Sequence, residues 1–218
     1  DNGAEGVGLY RTEFLYMNRD TLPDEEEQLA VYVAVIRGLA GIPITIRSLD
    51  LGADKRIDSA PTGCPPPCNP ALGLRAIRLC LKEPELFTPQ LRAILRASVE
   101  GPVRLMIPML TSVQELESVL EIIEQVRRGL TRDGLPFDPE LPVGAMIEVP
   151  SLLFILHKVI DHVDFVSVVT NDLVQYILGV DTDNSLVAPL YQPHHPGVIA
   201  ALERVASVAT GAGKSCSQ

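Results

Sequence analysis

Residues 103–126 read VRLMIPMLTSVQELESVLEIIEQV, and this stretch decides the fold class. It begins with an apolar run at residues 103–109, which is typical of a buried strand. Ser112 with Glu115 three residues later then indicates a helix start of the capping-box type. Apolar residues follow at helical spacing on one face: Val113, Leu116, Val119, Leu120, Ile123 and Val126. A strand followed by an amphipathic helix is the repeating unit of parallel sheets.

The same order recurs along the chain. Apolar runs bounded by Gly, Pro or acidic residues predict strands buried on both faces at residues 6–11, 43–50, 103–109, 143–149 and 165–170, with at most a sixth near Lys214. Helices are predicted after Pro23, where four acidic residues complement the helix dipole, and at 72–81, 84–98, from 112, at 152–159 and at 196–210. Proline-containing stretches at 58–70 and 131–142 are interpreted as loops. The sequence therefore predicts an α/β fold with a parallel sheet.

Composition restricts the class of protein. The 218 residues are 46% hydrophobic and 21% charged, which is enough apolar material for one folded core. No apolar run approaches the roughly 18 residues of a membrane span, and the first residues lack the features of a signal peptide. The formal charge of −10 disfavours unspecific binding to nucleic acid or to anionic lipid. Four cysteines without a C-x-x-C pair favour a reducing, cytoplasmic location.

The sulfur and imidazole side chains are interpreted as structural. Cys64 and Cys68 lie in a predicted loop, but two thiolates without a nearby third ligand do not complete a tetrahedral metal site, and the role of this loop stays open. The histidines are expected to be structural or exposed; they are His157, His162, His194 and His195.

Charged residues follow the predicted strands, at the end of the sheet where parallel α/β folds place their sites. Arg11, Arg47 and Lys55 suit a carboxylate or a phosphoryl group. Glu148 and Asp172 are the oxygen ligands that Mg²⁺ or Mn²⁺ prefers. The pattern predicts a metal-assisted site for a small phosphorylated acid. The alternative is that each cation simply pairs with a neighbouring acid.

Eight motifs in order carry a family resemblance. They are residues 8–17 (GLYRTEFLYM), 46–55 (IRSLDLGADK), 69–78 (NPALGLRAIR), 90–98 (QLRAILRAS), 107–109 (IPM), 146–150 (MIEVP), 170–176 (TNDLVQY) and 191–193 (YQP). Together they resemble the phosphoenolpyruvate-binding domain of enzyme I of the bacterial phosphotransferase system, the phosphoenolpyruvate-protein phosphotransferase family. The sugar and nitrogen branches of that family match equally well.

The resemblance implies a (β/α)₈ TIM barrel that binds phosphoenolpyruvate and Mg²⁺ or Mn²⁺ and passes the phosphoryl group to a histidine of a phosphotransferase-system protein, releasing pyruvate. A barrel of this kind needs about 250 residues, so residues 1–218 are expected to be a fragment with five or six of eight strands and without the N-terminal phosphohistidine domain. The resemblance also implies a phosphocarrier protein as partner and a homodimer.

Residue by residue, the resemblance assigns two groups. The substrate-binding group is Arg11, Arg47, Lys55, Arg78 and Asn171, and the metal ligands are Glu148 and Asp172. No catalytic residue is assigned, because the family cysteine has no match: Cys216 follows Lys214 at a shorter spacing and lacks the Gly-Glu that follows it in the family.

Two departures from the family pattern open other interpretations. Thr182 stands where the family has an arginine that contacts the substrate, and Val169 stands where it has a glycine. One alternative is therefore a degenerate, inactive phosphoenolpyruvate-binding or dimerisation module. A third is an enzyme of the pyruvate phosphate dikinase or phosphoenolpyruvate synthase type, which shares the barrel.

Overall fold

A computed structural model describes residues 5–51, 69–182 and 184–217. Within these residues there are six strands and seven helices. The strands are β1 (Val7–Tyr10), β2 (Ile44–Arg47), β3 (Val103–Ile107), β4 (Val143–Ile147), β5 (Phe165–Val168) and β6 (Ser215–Ser217). The helices are α1 (Glu25–Gly38), α2 (Ala76–Lys82), α3 (Pro84–Ala97), α4 (Val113–Asp133), α5 (Pro150–Val159), α6 (Thr170–Leu178) and α7 (Pro196–Gly211). The chain divides into two units: Asp1–Met106 with Glu117–Pro142, and Ile107–Leu116 with Val143–Gln218.

In the first unit, β1 pairs with β2 and β2 with β3, both in parallel. Every residue of β2 is buried, as expected for a central parallel strand. Helix α1 packs on α3, and its start is fixed by Asp24, whose carboxylate accepts a hydrogen bond of 2.8 Å from the Glu27 N–H. The acidic cluster after Pro23 is thus a helix start, as predicted.

In the second unit, β4 pairs with β5 and β5 with β6, again in parallel. Gly144 of β4 lies opposite Phe165 of β5, and a Cβ at Gly144 would stand 2.5 Å from the Phe165 ring. The strand therefore needs a residue without a side chain here. Helices α5 and α6 both pack against α7.

All five predicted strands are confirmed, and each ends one to three residues before the apolar run does. β6 lies at the place expected for a sixth. Burial on both faces is confirmed for β2 and β4 but is wrong for β1, which has no fully buried residue. Among the described strands β1 pairs with β2 alone, so fewer neighbours cover it.

Two helix boundaries and one helix that was not predicted correct the sequence prediction. Helix α2 begins at Ala76 rather than at residue 72, because Ala76 has a left-handed φ of +51° that interrupts a helix, and Pro70–Leu72 forms a separate 3₁₀ turn. Helix α4 continues to Asp133, so the loop that was predicted to begin at residue 131 begins only after residue 133. Helix α6 was not predicted; it begins directly after β5 and contains residues assigned to the strand end.

The capping box is confirmed with a shift of one residue. The Glu115 N–H donates to Ser112 Oγ at 3.1 Å, while the Glu115 carboxylate accepts from the Thr111 N–H at 2.6 Å, one residue before Ser112. None of the helices in the described ranges has both the length and the apolar character needed to cross a lipid bilayer. The Cys64–Cys68 loop, like most of the loop predicted at 58–70, lies outside the described residues.

Candidate active site

Arg47 is the last residue of β2, and its guanidinium lies between two carboxylates. Its Nη2 is 2.6 Å from Glu13 Oε1, and its Nη1 is 2.9 Å from Asp50 Oδ2. Only 6% of the Arg47 side chain is exposed. A planar cation held by a carboxylate on each side keeps one orientation, because turning it would break a charge-assisted hydrogen bond.

Arg75, which precedes α2, extends this arrangement. Its Nε and Nη2 donate to the two carboxylate oxygens of Asp50 at 3.0 and 2.9 Å. Glu13, Arg47, Asp50 and Arg75 thus form an ion-pair chain, all within the first unit. Two guanidinium groups and two carboxylates give this ion-pair chain a formal charge of zero. The ion-pair chain therefore does not by itself attract an anion.

Two further cations lie in the same unit. Arg11 follows β1 and is exposed, and Arg78 is half-buried on α2. Neither forms an ion pair with another described residue. Among the predicted cations that the structure describes, Arg11 and Arg78 are thus the ones whose charge is not already neutralised by a carboxylate. Lys55, the remaining predicted cation, lies outside the described residues.

Among the described residues, Ser48 Oγ beside the ion-pair chain and Glu13 Oε2 within it are buried without a hydrogen-bond partner. A buried polar atom left without a partner costs about 1–3 kcal/mol. The Ser48 hydroxyl, next to Arg47 in sequence, is therefore a buried polar group that the described residues leave unsatisfied.

Glu148 comes directly after β4 in the second unit and is fully buried. Its Oε1 accepts a hydrogen bond of 2.6 Å from the Met109 N–H. Met109 has a φ of +58°, in the left-handed region. That conformation costs a residue with a side chain on the order of 1 kcal/mol. This strained backbone directs its N–H at Glu148, which holds the carboxylate in place.

Asn171 and Asp172 lie in the first turn of α6, just after β5. The Tyr191 hydroxyl donates to Asn171 Oδ1 at 3.3 Å, which leaves the amide NH₂ of Asn171 as a donor. Burial and the negative charge of Asp172 raise the pKa of Tyr191.

The carboxylates of the second unit fit a hard divalent cation by their chemistry. Mg²⁺ commonly takes one or two protein carboxylates and fills its shell with water and substrate oxygens. Among the described residues there is no group of three or more His, Cys, Asp or Glu side chains placed to hold a metal ion. A two-carboxylate site such as Glu148 with Asp172 is compatible with that finding.

The two departures from the family pattern have clear local structures. Val169 has a φ of −99° and a ψ of 101°, an extended backbone that any residue adopts, so its conformation does not require glycine. Thr182 is exposed, and its hydroxyl donates to Gln175 Oε1 at 3.0 Å. A neutral hydrogen bond therefore occupies the position where an arginine was expected.

Sequence reasoning did not assign the partners of Arg47. The alternative in which cations pair with neighbouring acids holds for Arg47. The residues that sequence reasoning missed are Glu13 and Asp50, which pair with Arg47, and Arg75, which pairs with Asp50. The signal was present, because all three lie in the same motifs as the predicted cations. Which residues pair depends on contacts between motifs that are distant in sequence. Glu13 and Arg47 are 34 residues apart, and Asp50 and Arg75 are 25 residues apart.

Parallel strand and helix units with charged side chains directly after the strands define an α/β protein whose site is expected at the carboxyl ends of its strands. Residues 1–217 match the family described as PEP-utilising enzyme, PEP-binding domain, and the chain belongs to this family. The family resemblance seen in the sequence is confirmed.

Characterised relatives agree with this assignment. The chain is 47% identical over 212 residues to a phosphoenolpyruvate-protein phosphotransferase of Cupriavidus necator, covering 97% of this chain and 36% of the relative. It is 43% identical over 214 residues to the protein of that name from Staphylococcus carnosus, covering 98% of this chain and 37% of the relative. The chain therefore spans about a third of the length of these relatives.

A solved structure confirms the fold. A citrate lyase from Burkholderia xenovorans superimposes with a TM-score of 0.52 at 20% identity, covering 93% of this chain and 65% of that one. At this identity the likeness concerns the fold alone. The predicted α/β class is confirmed, with six described strands where five or six of the eight in a (β/α)₈ barrel were expected.

Proposed function

We propose that the chain binds phosphoenolpyruvate with Mg²⁺ or Mn²⁺ and supports transfer of its phosphoryl group to a histidine of a phosphotransferase-system protein, releasing pyruvate. The observation that carries the proposal is that Arg11 and Arg78, in the same unit as the buried, oriented guanidinium of Arg47, pair with no other described residue. A chain of formal charge −10 needs such local cations to bind an anionic substrate. Membership of the PEP-binding family supports this choice of anion.

The side chains take different roles in this proposal. Arg11, Arg78 and Lys55 bind and neutralise the anionic groups of the substrate, and Arg47, oriented by Glu13 and Asp50, offers a fixed guanidinium. The NH₂ group of Asn171 donates to a phosphoryl oxygen, because its oxygen already accepts from Tyr191.

Glu148 and Asp172 are the residues that would hold the metal. When bound, Mg²⁺ supplies neutralisation and orientation of the phosphoryl oxygens. The hydrogen bond from the Met109 N–H keeps one oxygen of Glu148 at a fixed position, so the carboxylate is oriented before the ion arrives.

The reaction balances without a redox partner. The bond between phosphorus and the enol oxygen breaks, and a bond from phosphorus to an imidazole nitrogen forms. The enolate left behind takes up a proton at its CH₂ carbon to become pyruvate, and the proton lost by the imidazole ring balances this uptake. The protein contributes position and positive charge, which are the main requirements of phosphoryl transfer.

Calorimetric titration of the chain with phosphoenolpyruvate in Mg²⁺ tests the proposal. We expect saturable binding that is lost in Arg47→Ala and in Glu148→Ala and weakened at least tenfold in Arg11→Ala, whose exposed side chain can be removed without disturbing the core. Arg132→Ala, which removes a side chain 79% exposed, is the control. Absence of binding by the unmodified, folded chain would refute the proposal.

The transfer step needs the longer protein. Replacing the corresponding segment of the Cupriavidus necator relative with this chain and following pyruvate formation tests it. A folded chimera that binds phosphoenolpyruvate but forms no pyruvate would contradict transfer while leaving binding intact.

A second candidate is a module that binds or dimerises without turnover. It is favoured by Thr182, whose exposed hydroxyl cannot replace an arginine in contact with an anion. The double variant Val169→Gly, Thr182→Arg distinguishes the two. If the double variant binds phosphoenolpyruvate and the unmodified chain does not, the second candidate is correct.

The remaining parts of the proposal rest on the family resemblance. They are a cytoplasmic location, a phosphocarrier protein as partner and a homodimer. Sedimentation equilibrium of the chain at micromolar concentration tests the dimer, which predicts twice the monomer mass of 23.7 kDa. The names of the two relatives favour phosphotransfer over the dikinase alternative.

A further inference from the structure

Gln90 lies on α3 and is fully buried, and both ends of its amide are used. Its Oε1 accepts a hydrogen bond of 2.8 Å from the Leu49 N–H, and its Nε2 donates to Thr12 Oγ1 at 3.1 Å. These partners are 41 and 78 residues away in sequence. A single buried side chain thus joins a helix to the segments that follow two different strands.

The two partners of Gln90 are the immediate neighbours of the residues that hold Arg47. Thr12 precedes Glu13, and Leu49 precedes Asp50. The Thr12 hydroxyl in turn donates to the main-chain carbonyl of Arg47 at 3.1 Å. Gln90 therefore fixes the distance between the segments that carry the two carboxylates on either side of the Arg47 guanidinium.

We infer that Gln90 is a positioning residue: its amide sets the separation of Glu13 and Asp50 and, through them, the orientation of the Arg47 guanidinium. Gln90 does not touch the ligand. It acts through Thr12 and Leu49, and its effect on phosphoenolpyruvate binding rests on the proposed function, whereas its effect on Arg47 does not.

Gln28 provides a matched control inside the same unit. It is equally buried, accepts from the hydroxyls of Tyr16 and Tyr32 at 2.9 and 3.2 Å, and donates to the Pro23 carbonyl at 3.1 Å. Replacing either glutamine by methionine nearly keeps the side-chain volume and removes the amide.

The two glutamines differ in the segments that their amides hold. Gln90 bonds to Thr12 and Leu49, whereas none of the bonds just given for Gln28 reaches either residue. The Tyr32 hydroxyl is common to both, because it lies 3.5 Å from Gln90 Nε2. An effect transmitted through Tyr32 would therefore appear in both variants, and one transmitted through Thr12 and Leu49 would appear only in Gln90→Met.

The first measurement needs no ligand. In ¹H–¹⁵N spectra of the whole chain, the Nε–H signal of Arg47 is assigned with Arg47→Lys. We expect this signal to shift or broaden in Gln90→Met and to stay in place in Gln28→Met. If Gln90→Met does not fold, Thr12→Val removes the hydroxyl between Gln90 and the Arg47 carbonyl and is expected to shift the same signal.

The second measurement is titration with phosphoenolpyruvate and Mg²⁺. We expect the dissociation constant to rise at least tenfold in Gln90→Met and less than threefold in Gln28→Met. The inference is overturned if the Arg47 signal of folded Gln90→Met is unchanged, or if both glutamine variants shift that signal equally, which would indicate a general packing defect. If the unmodified chain does not bind, the proposed function fails and the Arg47 signal alone decides the role of Gln90.

Discussion

Asp50 is the most enclosed residue of the ion-pair chain, with 1% of its side chain exposed and two arginines on its carboxylate. Replacing one partner of a buried ion pair leaves the other charge uncompensated and costs about 3–5 kcal/mol. We expect Asp50→Asn to lower the free energy of unfolding by about that amount, measured by urea denaturation.

The control for this prediction is Glu124→Gln, which removes an exposed partner of Arg127 on α4. Exposed ion pairs contribute only about 0–1 kcal/mol. A similar loss in both variants would mean that burial does not determine how much the ion pairs around Arg47 contribute to the free energy of unfolding.

The buried thiol of Cys80 makes the free energy of unfolding depend on pH in the alkaline range. Burial is the main cause that raises the pKa of its thiol from 9.0 to about 12. Above pH 9 the unfolded chain loses this proton while the folded chain keeps it, so the free energy of unfolding falls as pH rises from 9 to 12. The slope from this group is at most about 1.4 kcal/mol per pH unit.

Urea unfolding at pH 8 to 11 checks this prediction, with Cys80→Ala expected to show the shallower fall. Burial also raises the pKa of Tyr16 and Tyr32, so part of the fall remains in that variant. Leu79→Ala, a change at a buried neighbour that does not titrate, should lower stability equally at every pH. The prediction is wrong if the slopes of Cys80→Ala and the unmodified chain coincide.

At the residue scale, the sequence predicted which side chains carry charge but not how they pair. Arg47 and Glu148 follow strands in the sequence, and that position alone selects them. Whether Glu13 meets Arg47 depends on how the segments after β1 and β2 are held, and Gln90, which holds them, lies 43 residues beyond Arg47. No local pattern reports such a contact.

Gly144 illustrates a constraint at the scale of the strand. A methyl group there would overlap the Phe165 ring on the neighbouring strand. Overpacking of this kind costs about 1–3 kcal/mol. We expect Gly144→Ala to lower the free energy of unfolding by that amount. Gly8→Ala in β1 should cost little, because nothing lies within 4 Å of the Cβ it would add.

A double variant identifies the cause. The double variant Gly144→Ala, Phe165→Leu replaces the ring by a smaller side chain and so removes the overlap. Its loss in free energy of unfolding should be smaller than the sum of the two single losses. If the losses add, Gly144 is required for another reason.

Elements were predicted well where the apolar pattern is long and poorly where it is short. The strands carry continuous apolar runs, and α3, α4 and α7 carry apolar residues at helical spacing. Helix α6 has nine residues and directly follows β5, so its first turn looked like the end of the strand. The start of α2 depends on the left-handed backbone of Ala76, which alanine rarely adopts and which composition does not indicate.

For the molecule as a whole, the charge of −10 opposes the approach of a trianionic ligand at long range. Salt screens this repulsion, because the Debye length falls from about 30 Å at about 0.01 M to about 8 Å at about 0.15 M. We expect the association rate of phosphoenolpyruvate, measured by stopped flow at saturating Mg²⁺, to rise severalfold over this range.

Removing surface carboxylates should have the same effect as salt. Glu117→Gln with Glu121→Gln, both exposed on α4, changes the formal charge from −10 to −8. This variant should associate faster at low salt and equally fast at high salt. An association rate that falls with added salt would show that the local cations outweigh the net charge.

At this scale the order of strands and helices was enough to predict the class, since each strand and helix pair buries its apolar faces only in a parallel layered arrangement. The sequence motifs added the family. The residues between 52 and 68, with Lys55 among them, keep their predicted role as an expectation.

The burial of Cys80 has one practical consequence. Its Sγ lies 4.0 Å from the Leu49 carbonyl, beside the segment that carries Asp50, and its thiol is shielded as long as that region stays folded. In a variant with Cys64, Cys68 and Cys216 replaced by serine, the rate at which a thiol reagent modifies Cys80 would time each opening of the first unit. Cys80 is thus a native thiol probe of local unfolding next to the proposed binding residues, and no reporter group has to be introduced.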